Sequence, residues 1–88
     1  MIDLQESRNE IDEIDNEIIR LFEKRMKVAE DVAEYKIETG KQVLDSERER
    51  QKLAVLRQKA HGEFNALGAQ ELFQQIMAIS RKRQYQLL

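Results

Sequence analysis

Three cations, a carboxylate, a hydroxyl and an amide interrupt the apolar lines of this chain, and their chemistry suits one task. Arg25 fills the slot seven residues after Ile18 and seven before Val32, and Lys36 continues Phe22 and Ala29 by the same step. Arg8 lies four after Leu4 and three before Ile11. Glu49 opens a stripe that continues through Leu53, Leu56 and Ala60, while Ser80 and Gln84 end the line of Phe73 and Met77. Arg48 stands one residue before Glu49, about 100° around a helix, and flanks the same space. A charge turned inward needs a partner. Several cations with one carboxylate suit a small ligand bearing more than one carboxylate, gripped by bidentate guanidinium forks. Each residue taken singly also has a plainer account. Arg8 or Lys36 reaches water along its own stem, and Glu49 closes a capping box to Ser46. Ser80 bonds back to its own helix, and Gln84 sits at a frayed end. An internal salt-bridge network, for instance Arg25 with Glu49, is the collective alternative.

The elements that must position these groups follow from apolar spacing and three glycines at 40, 62 and 68. Leu4, Ile11, Ile18 and Val32 fall on one seven-residue line, and Ile14, Leu21, Val28 and Tyr35 on another. They predict one helix from about 4 to 38, ended near Gly40. "GKQVLD" is a short loop, and "SERE" (Ser46 to Glu49) is a capping box opening a second helix from about 46 to 60. In that start Glu47 and Arg50 face water and Glu49 points inward. "HGEFN" is a second loop with Asn65 as N-cap of a third helix, about 66–86. No strand pattern competes, and the fold class is all-α.

The first helix is too long for its own domain. Thirty-five helical residues span roughly 50 Å, whereas a compact chain of this size has a radius of gyration of only about 12 Å. Two heptad lines along such a rod ask for a second long helix, so an intertwined helical homodimer is expected. Arg25 and Lys36, eleven residues apart, share a face at about 16 Å of rise. Arg8 is roughly 25 Å from Arg25 along the axis and cannot reach the same small ligand. Antiparallel pairing of two first helices centred near residue 19 brings Arg8 of one copy close to Arg25 and Lys36 of the other. Two equivalent sites result, each completed across the interface.

Composition narrows the function. Residues 1–88 make one small domain. With no Cys and a single His61, neither a disulfide nor a zinc site can be built, and no metal is expected. No uncharged run exceeds about nine residues, which excludes a membrane span. "MIDLQESRNE" lacks the basic-then-apolar pattern of a signal peptide, and a cytoplasmic protein is expected. A net charge of −2 argues against nucleic acid, and "RKRQ" (Arg81 to Gln84) reads as a solvated face offsetting the helix dipole.

The same residues carry a resemblance. The "R-x-x-I-D-x-I-D-x-x-I-I-x-L" run from Arg8 to Leu21, "KRM" with Arg25, "YK" with Lys36, "D-S-E-R-E" from Asp45 and "S-R-K-R-Q" from Ser80 occur in order. In a chain of this length the pattern resembles the all-helical (AroQ-type) chorismate mutases over nearly its whole extent. That resemblance implies rearrangement of chorismate to prephenate, on the way to phenylalanine and tyrosine, with no cofactor. It implies that Arg25 and the partner copy's Arg8 hold the substrate carboxylates, and that Lys36 and Gln84 hydrogen-bond the ether oxygen. Glu49, with the backbone near Asp45, receives the ring hydroxyl, and Arg48 and Ser80 support. A [3,3] rearrangement needs a folded conformer and stabilised charge rather than a nucleophile or base. Two other readings stay open: an isochorismate pyruvate-lyase, and a non-catalytic dimeric helical module with a buried ion network.

Overall fold

Residue by residue, helix signals and stops decide the architecture. A computed structural model describes residues 1–88 as α1 (Leu4–Thr39), α2 (Ser46–Lys59) and α3 (Glu63–Gln86), with no strand. Asp3 starts α1 by accepting from Gln5 N (2.9 Å) and Glu6 N (3.3 Å) at Oδ1, which satisfies two of the orphan donors of a helix start. Gly40 ends it at φ 72°, ψ 14°, its N–H returning to the Lys36 carbonyl. That left-handed conformation is open to glycine without a Cβ penalty.

Two helix starts differ from expectation. Asp45, not Ser46, caps α2: its Oδ1 accepts from Arg48 N at 3.0 Å, and Ser46 is already helical. Asp caps as well as Ser, and the Glu49 carboxylate that a capping box would need is engaged with α3 instead. α3 starts at Glu63, three residues before the expected position, with Gly62 as N-cap. Asn65 donates its Nδ2 to the His61 carbonyl (3.0 Å) and does not cap.

α3 packs on both other helices, while α1 and α2 do not pack on each other. Ala29 and Ala33, one turn apart and both buried, let α3 approach the second half of α1. Met77 on α3 and Val43 in the α1–α2 loop complete the small apolar centre. Ion pairs tie the helices at each seam, Arg83 to Glu30 (3.0 Å) between α3 and α1, and Arg81 to Glu49 between α3 and α2.

The first half of α1 has nothing against it. The molecule measures 58 × 25 × 15 Å with a radius of gyration of 16.3 Å, well above the ~12 Å of a compact chain this long. Leu4, Ile11, Ile14, Ile18 and Leu21 are each more than half exposed, and only 6 of 88 residues are buried. No helix is long and apolar enough to cross a membrane.

Candidate active site

A cleft of about 400 Å³ opens where the second half of α1, the α1–α2 loop, the start of α2 and the end of α3 meet. Val28, Ala29, Val32, Val43 and Met77 form its apolar surfaces. Around them stand Arg25, Lys36, Arg48, Lys52 and Arg81, facing only two carboxylates, Asp45 and Glu49. The cleft thus carries an excess of three positive charges in a chain whose net charge is −2.

The helices aim each group. Lys36, in the last turn of α1, donates from Nζ to the Val43 carbonyl at 2.7 Å and so holds the loop over the helix end. An ammonium has three donors, so two remain. Arg25 is half-buried on α1 and makes no hydrogen bond or ion pair, so the Arg25–Glu49 network does not form. Glu49 pairs instead with Arg81, both about one-quarter exposed. Glu47 and Arg50 pair with each other on the surface, and Glu49 alone of that start turns inward. The Arg48 side chain is exposed at the cleft rim without an ion pair, and the Asp45 carboxylate is used in capping α2.

Ser80 and Gln84 lie one turn apart and are buried. Gln84 Nε2 donates to Ser80 Oγ at 3.2 Å, which leaves its Oε1 buried without a donor. Such an orphaned acceptor costs about 1–3 kcal/mol. With the amide turned over, the Ser80 hydroxyl can donate to Oε1, and Nε2 takes the orphaned place. Gln84 then offers an amide donor to whatever enters the cleft.

Of the residues singled out in the sequence, Arg25, Lys36, Asp45, Arg48, Glu49, Ser80 and Gln84 come together here. Arg8 does not. It is exposed on the projecting half of α1, about 25 Å along the helix from Arg25. Two cleft cations, Lys52 and Arg81, were not foreseen, and "RKRQ" is no solvated face. Arg81 meets Glu49, Arg83 meets Glu30, Gln84 is buried, and Lys82 alone is exposed. The signal was present: Met77, Ser80, Arg81 and Gln84 fall at i, i+3, i+4 and i+7, as do Glu49, Lys52, Leu53 and Leu56.

Two comparisons bear on identity. A chorismate mutase of Methanocaldococcus jannaschii is 49% identical over 47 residues, 53% of this chain and 48% of that protein. The matched stretch thus spans about half the length of that relative. The description "chorismate mutase type II" fits residues 7–85, a range that holds every residue lining the cleft. The chain belongs to the chorismate mutase type II family.

Proposed function

We propose that this protein rearranges chorismate to prephenate in a cleft completed by a second copy of the chain. The observation that carries this reading is the set of cleft cations without anionic partners, Arg25, Lys36, Arg48 and Lys52, beside a buried amide whose acceptor is orphaned. Such a site suits a dianion with a polar atom between its carboxylates. Arg25 and the partner's Arg8 take the two carboxylates, drawing the flexible substrate into its folded, reactive conformer. The ether C–O bond breaks as a carbon–carbon bond forms to the ring, and no proton changes hands. Negative charge develops on the ether oxygen, where Lys36 Nζ and Gln84 Nε2 donate. Glu49 and the backbone at Asp45 receive the ring hydroxyl, while Arg48 and Ser80 support the carboxylate and the amide.

The second copy is argued from the exposed apolar half of α1. In an antiparallel pairing centred near residue 19, position 8 falls opposite position 30, between Arg25 and Lys36. The heptad lines of α1 are buried by the same contact.

Chorismate depletion followed by ultraviolet absorbance, with the product identified by chromatography, tests the reading. Wild type should form prephenate, and Lys36→Ala should lower kcat by about 10²–10³-fold, the usual effect of deleting one oxyanion donor. Circular dichroism should show the helices retained. Salicylate and pyruvate formed from isochorismate would move the activity to a lyase. A folded protein that turns over neither substrate would leave the cations as structure only.

A further inference from the structure

We propose that Arg81 is a positioning residue for substrate selection: it holds Glu49 so that one carboxylate oxygen stays free for the substrate's ring hydroxyl. This rests on the reading above and adds a residue to it. Arg81 Nη1 takes Oε1 of Glu49, and no hydrogen bond goes to Oε2. The pair joins α2 to α3 across 32 residues of sequence, so its geometry is set by the packing of two helices. Surface pairs such as Glu17–Arg20 lie within one helix turn and are about 60% exposed. Glu49 and Arg81 are 25% and 27% exposed, with less water to compete for either group.

The neighbours explain why such a clamp matters. Lys52 lies three residues beyond Glu49 on the same helix face, and Arg25, Lys36 and Arg48 line the same cleft. An unclamped carboxylate is drawn to one of these cations, which removes it as a hydroxyl acceptor and neutralises a group that should hold substrate. Arg81 approaches from α3, on the other side, and also lines the neighbouring groove that contains Arg57 and Gln74. Glu49, Arg81 and Met77 border both spaces, so the ion pair forms the wall between them together with Met77.

The experiment compares chorismate with an analogue in which the ring hydroxyl is replaced by hydrogen. The readout is the ratio of kcat/KM for the two compounds. Arg81→Met should lower that ratio by about 10-fold, the scale of one charge-assisted hydrogen bond. Glu49→Gln should lower it similarly, and the double variant should fall no further than Glu49→Gln alone, because both act on one contact. Arg81→Lys, which keeps the charge, should recover most of the ratio. Arg81→Gln serves the same comparison should Arg81→Met not fold by circular dichroism. A variant that slows both compounds equally, with the ratio unchanged, overturns the positioning role and leaves the mutase reading standing. Wild type that rearranges neither compound overturns that reading and this role together.

Discussion

Gln84 shows how one side chain sets the conditions for the proposed chemistry. An amide donates at any pH, whereas a carboxyl group must first be protonated. Wild-type kcat should therefore be nearly flat from about pH 5 to 8, above the ordinary titration of carboxyl groups. Gln84→Glu should reverse this. Its carboxyl is the donor only when protonated, so activity is present below its pKa and lost as pH rises through it. Burial to 6% exposure in the parent residue favours the neutral acid, while the cleft's excess of cations favours the carboxylate. A pH series of kcat for both proteins checks the prediction, and a flat profile in Gln84→Glu would remove Gln84 from the reacting centre.

At the scale of the helix, Asp45 ties stability to function. Its carboxylate caps α2 by way of the Arg48 amide, and the first turn it secures presents Arg48 and Glu49 to the cleft. Asp45→Ala should cost about 1 kcal/mol of stability, the usual loss for a deleted N-cap. It should also raise KM, because the turn carrying those two side chains frays. Asp45→Asn keeps an acceptor of equal capping strength and should melt close to wild type. Thermal melts paired with KM for chorismate check both variants. An alanine variant that melts and binds as wild type does would show that α2 starts without this cap. The loop before it is held from the other side by Lys36 on the Val43 carbonyl, so both ends of the connection border the cleft.

For the whole molecule, the decisive feature is the projecting half of α1. A helix of 36 residues is about 54 Å long, and α3 covers only its second half. If the partner's Arg8 completes each cleft, two inactive variants should rescue each other. Arg8→Ala leaves its own cleft intact and lacks the arginine it lends, while Lys36→Ala lends Arg8 and lacks its own lysine. In a mixed dimer one cleft is then wild type and the other doubly deficient. Equal amounts unfolded together and refolded should give half mixed dimers and so about a quarter of wild-type activity. Sedimentation should report dimers throughout. Activity no greater than that of the separate variants would show that Arg8 acts within its own chain or not at all.

Much was legible in the sequence because helix periodicity and stops are local. The heptad lines and Gly40 marked α1 to within one residue of its end, and the polar interruptions at Arg25, Lys36, Glu49, Ser80 and Gln84 named residues that do share a cleft. The family, too, was readable from Arg8 to Gln84. What local pattern left open was pairing across helices. Asp45 and Ser46 are both good caps by residue type, and the Glu49 carboxylate that a Ser46 capping box would use goes to Arg81, 32 residues away. Arg81 was read as part of a solvated face and Lys52 was passed over, because a cation at a stripe's edge meets water or a cleft according to what packs beside it. Lys36 on Val43, and Gln84 with its orphaned oxygen, exist only once loop and helices close together. Spacing along one helix determines which side chains share a face; only the tertiary fold determines what each face meets.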